Sequence, residues 1–213
     1  MKKFKYSIFD MDGTLLDSMP AWHNIGKEYL SFLKITPPKN LNEIIAPMSL
    51  EESAEYFIER FKMNLSVEEI ISGVKSLIED KYRYELKLKP YVKEYLEKLK
   101  KEGVFMCVAT ASPLKLAAAA LERNGVLKCF SFIVSCDEVG VGKNKPDIYY
   151  LAASRLNADP QEIAVYEDAD FALITAREAG FYTVGVYDDC FSHKRKDIEL
   201  ISHSYIESFK EVI

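Results

Sequence analysis

The stretch YSIFDMDGT, residues 6–14, is a short apolar run that stops abruptly in two carboxylates and a glycine. Tyr6–Phe9 has the length and composition of a strand covered on both faces. Asp10 and Asp12 follow at once, so acidic chemistry begins where the strand ends. The same arrangement recurs further along. Val104–Ala109 is an apolar run followed by Thr110. Phe132–Val134 leads through a loop to Lys143 and Lys145, and Ile163–Tyr166 leads to Glu167 and Asp168. Tyr182–Val186 is a further strand, and His203–Ile206 reads as an edge strand.

Helical patterns separate these runs. Val92, Tyr95, Leu96 and Leu99 share one face, with Gly103 placed to end the helix. Ser112-Pro113 reads as an N-cap followed by proline in the first turn, with Asn124-Gly125 as the stop. Ile148, Leu151, Ala152 and Leu156 mark another helix, Asp159–Glu162 a capped turn, and Ala169, Ala172, Leu173 and Ala176 a helix that Gly180 can end. Strands alternating with helices of this length imply right-handed crossovers and a mostly parallel sheet. From Pro20 to Tyr84 the rhythm is helical only. Ser49-x-x-Glu52 and Ser66-x-x-Glu69 both fit a capping box, and Pro37-Pro38 breaks the pattern. The expected organisation is an α/β core domain of residues 1–16 and 87–213, interrupted by an all-helical insert of residues 17–86.

Composition narrows the function. The 213 residues are 48% hydrophobic and 29% charged, as in an ordinary globular chain. A net charge of −5 offers no general field for nucleic acid or anionic lipid, so neither is an expected partner. The N-terminal MKKFKY meets Asp10 before any signal-length apolar stretch, and no apolar run approaches about 20 residues. Cys107, Cys129, Cys136 and Cys190 lack CxxC or zinc-like spacing and read as reduced, mostly buried thiols. A cytoplasmic location is expected.

In an open parallel sheet, ligands bind beyond the carboxyl ends of the strands. Asp10, Asp12 and Asp168 are a set of hard oxygen donors suited to magnesium, which binds a few carboxylates together with a substrate phosphate. Thr110 and the amide of Ala111 are donors for a phosphate oxygen, and a lysine would neutralise phosphate charge.

DMDGTLLDS, the ATAS segment at Ala109–Ser112, GKNKPDIYYLAA and VYEDADFALITAREAG together resemble the four motifs of the haloacid dehalogenase-like hydrolase superfamily, in its capped phosphatase branch. The resemblance implies a Rossmann-like core, an inserted helical cap that closes over a small phosphorylated metabolite, and a Mg2+ cofactor. It further implies that Asp10 attacks phosphorus and that Asp12 serves as acid and then base, its carbonyl joining Asp10 and Asp168 on the metal. Glu167 supports the metal; Thr110 and a lysine hold the phosphate. Counting back from Pro146-Asp147 gives Lys143 that role, with Lys145 as the alternative because Asn144 stands where the family has proline.

Other functions fit these residues less well. A β-phosphoglucomutase-type sugar-phosphate mutase would carry a histidine where Trp22 stands, one residue before His23, and an arginine in a cap loop near Ala46–Leu50, where this chain has none. A dehalogenase does not need Asp12, and a phospho-acceptor signalling domain needs no insert of this size. Trp22 and His23 either face substrate or belong to packing and surface. Asp170 reads as a charge at a helix start, Asp188-Asp189 as a solvated loop, and Ala117–Ala120 as a close-packed helix face.

Overall fold

The computed structural model describes residues 2–45, 48 and 50–213. It divides into two compact units, Met1–Met19 with Leu86–Ile213, and Pro20–Glu85.

The first unit opens with β1 (Tyr6–Phe9), from which the chain passes into the helical segments α1 (Met19–Phe32), α2 (Leu41–Ile45), α3 (Leu50–Phe61) and α4 (Val67–Tyr84). It then returns as α5 (Val92–Lys101), β2 (Phe105–Thr110), α6 (Leu114–Arg123), β3 (Phe132–Ser135), α7 (Cys136–Val139) and α8 (Asp147–Leu156). β4 (Ile163–Glu167), α9 (Asp170–Glu178), β5 (Tyr182–Val186), α10 (Arg195–Ile201) and β6 (Ser204–Ile206) complete it. The six strands form one sheet in the order β3-β2-β1-β4-β5-β6, with every neighbouring pair parallel. This Rossmann-like order reverses at β1, between β2 and β4, which is where ligands bind in such sheets.

The apolar runs are continuous because both sheet faces are covered. Ile8, Cys107, Ala109, Val134 and Val165 pack with Ile148, Tyr149 and Ala152 of α8. On the alternate face Phe9 stacks on Tyr166, and Tyr166 meets Tyr95 of α5 and Phe209. Tyr95 and Tyr166 also share a hydrogen bond of 2.6 Å between their hydroxyls. Cys107 and Cys129 are buried, whereas Cys136 and Cys190 are half-buried, and all four thiols are free.

One local reading needs correction. Pro113, not Ser112, is the N-cap of α6, and no side chain caps it. Its carbonyl accepts from the amides of Leu116 and Ala117, while the Ser112 hydroxyl donates to Asp12. Asp170 is the first residue of α9, its carboxylate 2.9 Å from the ammonium of Lys194, which holds its pKa below the usual value.

In the second unit, Ile70, Val74, Ile78 and Tyr82 form a buried stripe at every fourth residue of α4. Ser66 accepts from the Glu69 amide and the Glu69 carboxylate accepts from the Ser66 amide, a complete capping box. Pro37-Pro38 lies between α1 and α2. The box expected at Ser49 lies outside the described residues. Among the described residues no helix is long and apolar enough to cross a membrane.

Candidate active site

The site forms where β1, β2 and β4 end side by side. The Asp10 amide donates to the Tyr166 carbonyl at 2.9 Å, extending the β1–β4 ladder by one residue and setting Asp10 beside Glu167. The chain then turns sharply, with the amides of Leu15 and Leu16 donating to the Met11 carbonyl. Gly13 sits inside this turn at φ +82°, where a Cβ would stand 2.2 Å from Asp168 Oδ2. Only glycine accepts both the left-handed backbone and that approach. The adjacent Thr14 donates its hydroxyl to Asp168 Oδ1 at 2.9 Å, so the loop that carries Asp10 and Asp12 also holds Asp168.

Thr110 ends β2 fully buried, and its hydroxyl oxygen accepts from the Ser112 amide at 3.0 Å. That leaves the hydroxyl proton to donate elsewhere. Ala111 follows it at the exposed edge. Ser112 donates to Asp12 Oδ2 at 2.7 Å and its carbonyl accepts from the Ser135 hydroxyl at 3.0 Å, which ties the loop after β2 to the end of β3.

The loop after α7 delivers Lys143. Its ammonium donates to Asp10 Oδ1 and, at 2.6 Å, to Glu167 Oε1. Lys143 is buried, whereas Lys145 is exposed, its amide closing a turn on the Gly142 carbonyl. Glu167 Oε1 also accepts from the Tyr149 hydroxyl at 2.9 Å. Oxygens of Asp10, Glu167 and Asp168, all three buried, lie within 4.8 Å of one another. The Asp12 carboxylate is not part of that trio.

Among the described residues, Lys143 pairs with Asp10 and Glu167, and Asp168 has only the more distant charge of Lys89, itself paired with Asp188, so the three carboxylates leave excess negative charge in a dry place. Burial disfavours the Lys143 ammonium, but Asp10 and Glu167 outweigh burial and hold its pKa above the ordinary range. Burial and the Asp10 charge push Glu167 up to about 7, against the opposing pull of Lys143 and Tyr149. Asp168 is raised well above the usual carboxylate range by burial, then by Asp10 and Glu167. A divalent cation would relieve this repulsion. The buried trio, all hard oxygen donors, fits magnesium better than a softer metal.

Trp22 and His23 are exposed on α1, with the Trp22 indole donating to the Tyr82 hydroxyl at 3.2 Å. Asp188 is not in a solvated loop. It is buried after β5, paired with Lys89 at 2.8 Å, while Asp189 is exposed. Lys89 also donates to the Tyr187 carbonyl at 2.6 Å. Thr14, Ser112 and Tyr149 were not singled out as site residues, although each lies within or beside a recognisable motif.

A parallel α/β sheet with acids and a lysine converging at its switch point is an enzyme-type site for an oxyanion and a cation together. The family model described as haloacid dehalogenase-like hydrolase matches residues 7–186. The chain is 30% identical over 173 residues to a phosphorylated carbohydrates phosphatase of Thermotoga maritima, covering 81% of this chain and 80% of that protein. It is 31% identical over 188 residues to the fructose-1-phosphate phosphatase YqaB of Escherichia coli, covering 84% and 94%. A solved structure of a candidate β-phosphoglucomutase from Thermotoga maritima matches with a TM-score of 0.86 at 26% identity, covering 98% of this chain and all of that one. The chain belongs to the haloacid dehalogenase-like hydrolase family and is an enzyme of that family.

Proposed function

We propose that this hydrolase is a magnesium-dependent phosphatase that cleaves small phosphorylated sugars through an aspartyl-phosphate on Asp10. The observation that carries this reading is the meeting of Asp10, Glu167, Asp168 and Lys143 at the ends of β1 and β4. The substrate class is taken from the relatives, which are named for phosphorylated carbohydrates and fructose 1-phosphate.

Asp10, Glu167 and Asp168, with the carbonyl of Asp12, are assigned as the groups that hold magnesium. When bound, the ion supplies positive charge that draws phosphoryl oxygens toward the Asp10 carboxylate. Lys143 has three N–H donors, two of them on Asp10 and Glu167, and the third is assigned to a phosphoryl oxygen. The Thr110 hydroxyl and the Ala111 amide take the other oxygens. Asp10 attacks phosphorus, the ester P–O bond breaks, and Asp12 gives its proton to the leaving alcohol. Asp12 then takes a proton from water, which attacks the same phosphorus and frees phosphate and Asp10. Buried Asp10 and half-buried Asp12 suit these different duties. We assign substrate discrimination to the helical insert, including Trp22 and His23, and place the enzyme in the cytoplasm, where its four thiols stay reduced.

A panel of phosphorylated sugars and other phosphate esters, assayed for phosphate release with and without magnesium, tests the proposal. Turnover of sugar phosphates only with magnesium is expected, and no release from any ester would end the reading. The likeness to a candidate β-phosphoglucomutase supports a second reading, sugar-phosphate mutase. Conversion of a sugar 1-phosphate to its 6-phosphate faster than phosphate release would favour it.

A further inference from the structure

Glu167 is buried, and its two carboxylate oxygens meet different surroundings. Oε1 accepts from Lys143 at 2.6 Å and from Tyr149 at 2.9 Å, two donors on one oxygen. Two donors saturate the lone pairs of a carboxylate oxygen on the protein side. The described residues place no donor on Oε2. Tyr149 is itself fully buried on α8, with its ring against Phe181 and its helix packed on the sheet, so its hydroxyl has little freedom to move.

We infer that Tyr149 is a positioning residue for the metal site, turning Glu167 so that Oε2 is the oxygen offered to the cation. This deepens the proposed function and rests on its metal site. Lys143 alone is a poor tether for Glu167, because the same ammonium holds Asp10 and is assigned to the phosphate. When a phosphoryl group draws Lys143, the Tyr149 bond keeps Oε1 partnered and the side chain in place. Outer partners of ligating carboxylates commonly set metal affinity by 10–100-fold. Tyr149 does not touch substrate in this account and is not a catalytic residue.

Tyr149→Phe removes the hydroxyl and keeps the ring, so the packing against Phe181 survives and Oε1 keeps its Lys143 partner. Tyr95→Phe is the control, since it removes a buried hydroxyl that bonds Tyr166 instead. The full chain, stripped with EDTA, is melted against rising magnesium chloride, and p-nitrophenyl phosphate turnover is followed over the same range. For Tyr149→Phe the magnesium midpoint should rise about tenfold or more by both readouts. Saturating magnesium should restore kcat to within about threefold of wild type, a rescue that a merely loosened fold would not show. Tyr95→Phe should leave the midpoint unmoved. A Tyr149→Phe midpoint within twofold of wild type, or a kcat that excess magnesium does not restore, overturns the inference. Wild type that is stabilised by magnesium but releases no phosphate contradicts the phosphatase reading alone, and the melting midpoints still decide the role of Tyr149. Wild type indifferent to magnesium overturns both.

Discussion

Asp10 and Asp12 stand two residues apart and meet different surroundings. Asp10 is buried on the Lys143 ammonium, whereas Asp12 is half-buried and accepts from the Ser112 hydroxyl. Both are aspartates, so in the proposed mechanism it is environment that would separate a nucleophile from an acid. Asp12→Asn should therefore lower kcat by about 10²–10⁴ while leaving the melting temperature close to wild type. Steady-state phosphate release checks this, and turnover within tenfold of wild type would remove Asp12 as the acid and base. Asp10, Asp12, Lys143, Glu167 and Asp168 were legible in the sequence because each follows or ends an apolar run at the same sheet edge. The sequence offers both Lys143 and Lys145 as the site lysine, and of the two only Lys143 is buried. The partnerships of Thr14, Ser112 and Tyr149 were not legible. Their acceptors lie 154, 100 and 18 residues away in the chain, and a hydroxyl carries no mark of which distant carboxylate it will meet.

At the scale of elements, strands and crossover helices were readable from period and punctuation. β1 and β5 begin and end as expected, and the other strands differ by a residue at one or both ends, as hydrogen-bonded ends commonly do. Glu167 and Thr110 are the last residues of their strands rather than the first of the loops, which is why both are buried. Asp188 was misread because a charge after a strand usually faces water. Its partner Lys89 comes from the segment returning to the core, where the Lys89 amide also donates to the Leu15 carbonyl at 2.9 Å. With side chains only 13% and 4% exposed, this pair is nearly dry. Removing one member of such a pair strands the other charge. Lys89→Met should cost about 3–5 kcal/mol in urea unfolding. A loss under about 1 kcal/mol would mean that Asp188 finds water or another partner, and the pair would lose its structural role.

At the scale of the whole molecule, a mildly acidic chain of net charge −5 concentrates three buried carboxylates at one sheet edge, where among the described residues Lys143 is the buried lysine that meets them. The imbalance links metal, proton and stability. Glu167 rises from an ordinary 4.5 to about 7 on folding, and Asp168 shifts in the same direction. An acid whose folded pKa is raised favours the fold fully below its unfolded value and loses that contribution as pH rises through the folded one. Metal-free protein should therefore lose stability from this site between about pH 5 and pH 8. Magnesium competes with those protons, so the gain in melting temperature on adding it should grow across the same window. Taking the difference between magnesium and EDTA at each pH cancels groups remote from the site, such as His203, whose pKa burial lowers. A gain that is flat or shrinks with pH would contradict the charge imbalance. The central claim, that Asp10 is the group to which phosphorus is transferred, is tested most directly by comparing magnesium-dependent phosphate release from a sugar phosphate by wild type and by Asp10→Asn at matched folded concentration. Steady turnover by wild type is expected, with none above background from Asp10→Asn. Substantial release by Asp10→Asn would contradict the claim.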